Sequence, residues 1–173
     1  EMLYGEQRLI SPLDWANTRR TFDGAKIFYK GTDWDIDGFW LRPVPFLQHV
    51  KNDHNADSND QSQEFTGLYA THKKNPDAIH DVYFLRLAEY KATGTLINPA
   101  NFDVSLLGTR WFIKEGPWLF DVEGGYQFGQ YSAGTQQAGF CTGGIGRDFA
   151  AHPWKPRLWG FFDYASGDRN PTD

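Results

Sequence analysis

Apolar and polar residues alternate along residues 118–128. Trp118, Phe120, Val122, Tyr126 and Phe128 share one parity, and the opposite parity carries two carboxylates and a glutamine. Because successive side chains of a strand point to opposite faces, this pattern predicts a strand with one apolar and one polar side. Four of the five apolar residues are aromatic, whereas the core face of a soluble β-sandwich is mostly aliphatic. The segment therefore indicates a strand that faces lipid on one side.

Turn-forming residues divide the chain into nine candidate strands of about ten residues each, the length that crosses a bilayer at a tilt. We predict strands over residues 2–9, 22–31, 34–42, 64–72, 80–91, 102–114, 118–129, 137–149 and 157–165. Tight turns separate some of them, whereas the segments 10–20 and 43–63 are long and polar. Short turns at one end of the sheet and long loops at the other are typical of an outer-membrane β-barrel.

The composition agrees with strands rather than helices in a membrane. The chain is 17% aromatic, yet its mean hydropathy is −0.59, and no run approaches the roughly 20 apolar residues of a spanning helix. Alternation lowers the mean hydropathy of a barrel strand, so a transmembrane β-barrel stays possible. The net charge of −5 argues against a nucleic-acid partner. Cys141 is the single cysteine, so no internal disulfide forms.

The number of candidate strands bears on how the barrel closes. Bacterial single-chain barrels have even strand numbers, and an open sheet edge in hydrocarbon costs several kcal/mol for each unpaired backbone group. We therefore expect residues 1–173 to be a single β-barrel domain that is incomplete at both ends.

Five short phrases, in order along the chain, resemble the alginate export family of bacterial outer-membrane barrels. They are YGEQRL at residues 4–9, DWANTRRTFDGAKI at 14–27, DIDGFWLRPV at 35–44, GGYQFGQY at 124–131 and WKPRLWGFFDYASGDRNPTD at 154–173. The resemblance implies an all-β protein, an antiparallel transmembrane β-barrel of around 18 strands, of which this chain is about half.

In function, the resemblance implies a porin-like channel that carries an anionic uronate polymer, or a smaller acidic solute, through a charged lumen. The expected partners are this solute, outer-membrane lipid and periplasmic secretion proteins. No enzymatic activity and no cofactor are expected from it.

Alternation within each strand predicts which charged residues face the lumen. On the strand over 102–114, Leu107, Trp111 and Ile113 are assigned to lipid, which turns Arg110 inward. An Arg or Lys on the lipid face near the middle of the bilayer costs about 2–4 kcal/mol, so the assignment has an energetic basis. The full set of predicted lumen residues is Arg8, Lys26, Arg86, Arg110, Asp121, Glu123, Arg157 and Asp163.

Two members of this set depend on how individual segments are interpreted. On the strand over 80–91, Tyr83, Leu85 and Leu87 are assigned to lipid, so that Arg86 faces the lumen together with His80. On the strand over 2–9, Arg8 shares its face with Tyr4 and Glu6.

The predicted lumen charges have two interpretations. Arg guanidinium groups form bidentate pairs with carboxylates, so a ladder of them suits a uronate chain that passes residue by residue. Facing acids would keep each binding position weak enough to leave. Alternatively, these charges form a mutual salt-bridge network that fills a polar interior. The sequence leaves both open.

The segment 53–64 partly matches the ligand spacing of a calcium loop. Positions one, three, five, seven and twelve are Asp53, Asn55, Asp57, Asn59 and Glu64. Ser58 stands where the sharp turn requires glycine, and no helices flank the segment. We interpret it as a solvated loop, with a weak calcium site as the alternative.

A second class of function is a soluble β-sandwich, either a carbohydrate-binding module or a polysaccharide lyase. The segment QYSAGTQQ at residues 130–137 is faintly similar to the tyrosine-bearing strand of jelly-roll alginate lyases. No His or Arg motif accompanies it, and a tyrosine at a strand end is typical of a membrane interface. The five histidines show no paired ligand spacing. We therefore expect no catalytic or metal site.

Overall fold

Eight strands form one antiparallel sheet in which each strand pairs with its neighbours in chain order. The computed structural model describes residues 2–13, 20–44, 62–90, 101–131 and 134–167. The strands are β1 (Thr21–Lys30), β2 (Trp34–Val44), β3 (Gln63–Asn75), β4 (Ala78–Glu89), β5 (Phe102–Glu115), β6 (Trp118–Tyr131), β7 (Gly134–Asp148) and β8 (Arg157–Ala165). The described residues contain no helix able to cross a membrane. The expected all-β antiparallel fold is confirmed, and it is a single open sheet.

The last eight predicted strands are confirmed with small shifts at their ends, but the strand predicted over 2–9 is wrong. These residues form turns and bends instead, with a hydrogen bond from the Gln7 amide to the Tyr4 carbonyl. Gln7 has a φ of 59°, which belongs to the left-handed region and interrupts any strand. The N-terminal segment, residues 2–13, packs across one face of the sheet, where Met2 and Ile10 are buried.

The face of the sheet that the N-terminal segment covers is called the inner face. Tyr4 contacts the rings of Phe39 and Tyr69, whose neighbour Tyr83 stacks on Tyr69 with ring centroids 5.3 Å apart. Phe39, Tyr69 and Tyr83 are each at most 6% exposed. The apolar core of the described residues therefore lies between the N-terminal segment and strands β2 to β4.

Contacts of the N-terminal segment show that the sheet curves around it. The Tyr4 ring lies 5.0 Å from the Lys26 ammonium on β1, and the Arg8 guanidinium lies 5.6 Å from the Phe161 ring on β8. Strands lie about 4.8 Å apart, so a flat sheet would separate β1 from β8 by about 34 Å. A turn holds Tyr4 and Arg8 close together, and both edges of the sheet approach it. The inner face is therefore concave, as in a barrel wall.

The outer face is apolar and exposed. One row of residues that are paired across neighbouring strands consists of Ile27, Gly38, Leu68, Phe84, Leu107 and Tyr126. Leu107 is 54% exposed and Tyr126 is 50% exposed. The prediction that the aromatic side of 118–128 faces outward is confirmed, because all five of its apolar side chains are at least 36% exposed.

The height of this apolar face fits a bilayer. Trp118 and Phe128 mark its ends on β6, ten residues apart. Ten residues of strand rise about 34 Å, and a barrel tilt of about 40° reduces this to about 25 Å, the height of the apolar band on outer-membrane barrels.

Aromatic rings of neighbouring strands contact each other at one end of the outer face. His72 lies 4.8 Å from Trp34, and His80 lies 3.6 Å from Trp111, measured between ring centroids. Trp and Tyr side chains concentrate at the two boundaries of a bilayer, where a ring and a polar atom are both accommodated. This end carries the tight turns and corresponds to the short-turn side of a barrel.

On β4 the assignment of faces from the sequence is wrong. Tyr83 and Leu85 are buried on the inner face at 1% and 6% exposure, whereas Val82 and Phe84 are each 39% exposed on the outer face. Leu87 shares the inner parity and lines a cavity near the end of the strand. Tyr83 is excluded from lipid because its hydroxyl donates to the Glu123 carboxylate at 2.9 Å.

Several glycines on the inner face lie directly beneath an aromatic ring of the neighbouring strand. The Tyr83 ring covers Gly108, the Phe161 ring covers Gly144, and the Trp159 ring covers Gly146. A Cβ atom built on Gly108 would stand 2.4 Å from the Tyr83 ring, far inside van der Waals contact. These glycines are required because the rings use the space that a side chain would fill.

We expect Gly108→Val to destabilise the protein by about 1–3 kcal/mol, the usual cost of overpacking a well-packed site. The valine would displace Tyr83 and its hydrogen bond to Glu123. The matched control is Gly143→Val, because a Cβ at Gly143 meets nothing within 4 Å. Urea unfolding of the detergent-solubilised variants measures both. Equal stability of the two variants would contradict the packing argument.

Candidate functional site

A row of polar residues crosses the inner face from β2 to β8. Cross-strand pairing places its members directly beside one another: Asp35, Thr71, Asp81, Arg110, Glu123, Thr142 and Asp163. The row arises because side chains alternate between the two faces along each strand. The register of each strand pair then places a polar residue of the inner face beside a polar residue of the next strand. We call it the polar row.

Arg110 is the centre of the polar row. Its Nη2 and Nε atoms donate to the Asp121 carboxylate at 2.6 and 3.1 Å, and its Nη1 atom donates to Asp81 at 3.3 Å. A further hydrogen bond joins Nη2 to Glu6 of the N-terminal segment at 3.0 Å. Arg110 is 5% exposed, so these carboxylates hold a buried cation. The bidentate pairing with Asp121 fixes the plane of the guanidinium.

Arg8 adds a second cation beside the two carboxylates of β6. Its Nη1 atom donates to Glu123 at 2.8 Å and to Asp121 at 3.2 Å. The second Glu123 oxygen accepts the Tyr83 hydroxyl. Asp121 thus bridges Arg8 and Arg110, Glu123 joins Arg8 to Tyr83, and the N-terminal segment completes the network.

A second cluster of charged side chains lies on β1 and β2. The Lys26 and Lys30 ammonium groups approach Asp37 at 2.8 and 3.2 Å, and the Tyr4 hydroxyl donates to it at 2.8 Å. Burial, followed by this hydrogen bond and the negative charge of Asp37, raises the pKa of Tyr4 above its ordinary value. Tyr4 therefore stays protonated and remains a donor.

Part of this cluster was not predicted from the sequence. Lys26 was among the predicted lumen residues, whereas Asp37, Lys30, Asp35 and Lys73 were not, and Lys73 pairs with Asp35 at 2.7 Å. Alternation could have found the acids, because Trp34, Ile36 and Trp40 share the outer parity of β2.

Arg157 and Asp163 lie on β8 on the inner parity. Arg157 is paired with Asp148 of β7 at the end of the strand, with 2.9 Å from Nη2 to the carboxylate, and its side chain is 53% exposed. Asp163 is exposed opposite Thr142. Neither residue contacts the network around Arg110.

The prediction that Arg86 and His80 face the lumen is wrong. Both share the outer parity of β4 with Val82 and Phe84. Arg86 donates to Asp103 from Nε at 2.7 Å and from Nη2 at 2.6 Å.

Ion pairs of this kind mark the loop end of the outer face. Tyr90 donates to Asp103 beside Arg86, and Arg42 pairs with Glu64 at 3.5 Å. Paired charges on the outer face fit a position near the membrane boundary, where the cost of a lipid-facing charge falls to about 0–1 kcal/mol.

The other sequence hypotheses fall partly outside the described residues. Asp53, Asn55, Asp57 and Asn59 of the calcium-loop candidate lie there, and Glu64 pairs with Arg42. Within residues 2–13, 20–44, 62–90, 101–131 and 134–167, no group of three or more metal-ligating side chains comes together. Tyr131, the lyase candidate, stacks on Phe102 with ring centroids 6.2 Å apart.

Comparison with known proteins agrees with the fold. The family model described as alginate export matches residues 1–173. Comparisons with curated proteins and with solved structures give no significant match. The described strands form one sheet with an apolar outer face, unlike the two packed sheets of a sandwich. The chain belongs to the alginate export family, a family of outer-membrane β-barrels that transport polysaccharide.

Proposed function

We propose that this chain forms part of the wall of a porin-like channel. Through this channel an anionic polysaccharide, alginate or a related uronate polymer, crosses the outer membrane. The observation that carries the proposal is the contrast between the two faces of one sheet. The outer face is apolar and exposed, whereas the inner face carries paired ionisable side chains across all eight strands. A wall of this kind separates lipid from a polar path.

The inner cations differ in their access to a passing polymer. The side chains of Lys30 and Arg157 are 51% and 53% exposed, and that of Lys26 is 32% exposed. Arg110 is buried and has all its carboxylate partners within the protein. The exposed cations are therefore the groups that attract uronate carboxylates, while Arg110 holds the wall together.

Each exposed cation also has an acidic neighbour, such as Asp37 beside Lys26 and Lys30. Transit requires positions that bind strongly enough to enter and weakly enough to leave. Competition between a wall carboxylate and a polymer carboxylate for one ammonium group gives such weak binding. This transport needs no cofactor and no catalytic residue. Outer-membrane lipid covers the outer face, and periplasmic secretion proteins deliver the polymer at the short-turn end.

Single-channel conductance in planar lipid bilayers tests the proposal. An oligouronate added on the side of the short turns is expected to interrupt the current reversibly, because its carboxylates pause at the inner cations. A neutral oligosaccharide of the same length is the control and should interrupt it much less. Equal interruption by both sugars would contradict a charge-selective path.

Lys30→Glu should raise the oligouronate concentration needed for half-maximal interruption about two- to fivefold. An exposed ion pair contributes up to about 1 kcal/mol, which sets the size of this change. The ion selectivity, measured as the reversal potential in a salt gradient, should shift toward cations. Lys74→Glu is the control, because Lys74 lies beside the turn at the end of β3 and pairs with Asp33 rather than with Asp35 or Asp37, with its side chain 70% exposed. The same shift in both variants would show that the effect is one of net charge alone.

A further inference from the structure

Arg147 is an exposed cation that lies beside aromatic rings instead of a carboxylate. Its guanidinium carbon lies 5.0 Å from the centre of the Trp118 ring and 5.1 Å from the centre of the Phe149 ring. Within the described part of the chain it forms no ion pair, whereas Arg86 and Arg157 each donate to a carboxylate from two nitrogen atoms. The positive charge of Arg147 is therefore not offset by a described acid.

The two ring contacts leave the hydrogen-bond donors of Arg147 available. A guanidinium has five N–H groups in one plane, and an acceptor with two adjacent oxygens uses two of them. An aromatic ring attracts the cation electrostatically, but it is only a weak acceptor of hydrogen bonds. The rings thus restrict where the guanidinium lies and leave its donors to a stronger acceptor.

Arg147 lies on the outer face at the level of the membrane boundary. It is paired across the strands with Trp118, which marks the short-turn end of the apolar band on β6. The next outer residues toward the middle of the sheet are Ile145, 50% exposed, and Phe120, 36% exposed. The headgroup region of a bilayer lies directly outside its hydrocarbon core. The Arg147 guanidinium is therefore at the depth of the lipid phosphates.

A cavity of about 490 Å³ opens beside Arg147, between two neighbouring turns. One turn joins β5 to β6 and the other follows β7. The Asp148 amide donates to the Pro117 carbonyl at 2.8 Å and so joins the two turns. Pro117 and Phe149 belong to the apolar wall of the cavity, whereas Arg147 and His152 belong to its polar part. Ligand pockets begin at about 300 Å³, so the cavity admits a phosphate group with the carbons next to it.

The polar groups around the cavity favour an anion. The Asp148 carboxylate also borders the cavity, but it is already paired with Arg157 through two hydrogen bonds. The Nδ1 atom of His152 accepts the Trp154 amide at 3.3 Å. The neutral His152 ring therefore carries its hydrogen on Nε2, which makes this atom a donor. Arg147 is left as the charge without a counterion, and a donor of His152 adds to it.

We propose that Arg147 and this cavity bind the phosphate group of a glycerophospholipid from the periplasmic leaflet of the outer membrane. Short turns lie on the periplasmic side of an outer-membrane barrel, where the lipids are glycerophospholipids. Two N–H groups of Arg147 donate to two phosphate oxygens, the glycerol carbons contact Phe149, and the acyl chains extend over Ile145. The site lies on the outer face, so it is independent of the polymer that passes along the inner face.

Native mass spectrometry of the detergent-solubilised protein tests the site, with dimyristoyl phosphatidylglycerol as the probe. Dimyristoylglycerol has the same acyl chains without the phosphate, and the unaltered protein should bind it more weakly. Arg147→Gln should weaken binding of the first phospholipid about fivefold, the effect of one cation near a lipid surface. The same variant should leave dimyristoylglycerol binding unchanged, because only the phosphate contact is lost.

The matched control is Lys74→Gln, which removes one positive charge at the same end of the sheet. The Lys74 side chain is 70% exposed and lies beside the turn after β3, away from the cavity. Its loss should leave phospholipid binding unchanged. Both altered side chains are exposed, so both variants should keep the heat-modifiable gel shift. Inorganic phosphate at millimolar concentration should not displace the phospholipid, because it makes no contact through acyl chains.

Several results would overturn the inference. Equal affinity of the unaltered protein for the two lipids would show that the outer face binds acyl chains alone. Unchanged phospholipid binding by Arg147→Gln, or an equal loss in Lys74→Gln, would show that the ring-flanked arginine has no special role. Displacement by inorganic phosphate would show a site for free phosphate instead of lipid.

Discussion

Arg110→Glu is expected to destabilise the protein by about 3–5 kcal/mol, the cost of removing one partner from a buried ion pair. The substitution would place a fourth carboxylate among Asp81, Asp121 and Glu6, two of which are almost fully buried. Loss of the fold should therefore precede any change in ion selectivity. Urea unfolding in detergent, followed by the heat-modifiable gel shift, measures the effect.

Arg157→Glu is the matched control for this substitution. Arg157 lies on the same inner face and pairs with Asp148, but its side chain is 53% exposed. Exposed pairs contribute about 0–1 kcal/mol, so this variant should remain folded. A normally folded Arg110→Glu protein with lowered anion selectivity would contradict the structural role of the network. It would indicate instead that Arg110 binds passing carboxylates.

Leu107→Arg is expected to destabilise the protein by about 2–4 kcal/mol, because Leu107 lies in the middle of the outer face, where a barrel meets the centre of the bilayer. The residue is 54% exposed, and in a soluble protein such a substitution would change stability by no more than about 0.5 kcal/mol. The measured quantity is the free energy of unfolding in lipid vesicles.

The control is Gln130→Arg, on the same outer parity but near the loop end of β6, opposite Asp103. Near the interface the cost falls to about 0–1 kcal/mol. A clear difference in the free energy of unfolding between the two variants in vesicles identifies lipid as the medium that contacts the outer face. Equal costs at both positions would mean that the outer face packs against protein.

The strands could be predicted from sequence because alternation is a local property. On β5, Leu107, Trp111 and Ile113 form an apolar parity opposite Arg110, and the same contrast exists on β6. Wherever one parity is apolar and the other charged, the faces were assigned correctly.

On β4 both parities are apolar, and there the assignment failed. Val82 and Phe84 face outward, whereas Tyr83 and Leu85 pack beneath the N-terminal segment. The inner face is not polar throughout, because a chain segment covers part of it. Asp81 and Glu89 were the available markers, since both share the parity of Tyr83 and would have placed Arg86 outside.

The N-terminal segment itself was missed for a related reason. Tyr4, Glu6 and Arg8 have the spacing of a strand, but their partners are Asp37, Arg110 and the β6 carboxylates, which lie on distant parts of the chain. A local pattern does not contain such long-range pairs. That residues 1–173 are about half of a larger barrel, and that the solute is alginate rather than another uronate, stay predictions.

The glycines under aromatic rings also affect the width of the path along the inner face. A tyrosine or tryptophan that stands on an ordinary strand projects its whole length toward the axis of a barrel. Where Tyr83 lies over Gly108, Phe161 over Gly144 and Trp159 over Gly146, each ring lies flat against bare backbone. Each ring therefore occupies less depth above the inner face than it would on an ordinary strand. Under the proposed function the Phe161 ring, which is 51% exposed, is accessible to a passing sugar, whereas the Tyr83 ring, 1% exposed beneath the N-terminal segment, is not.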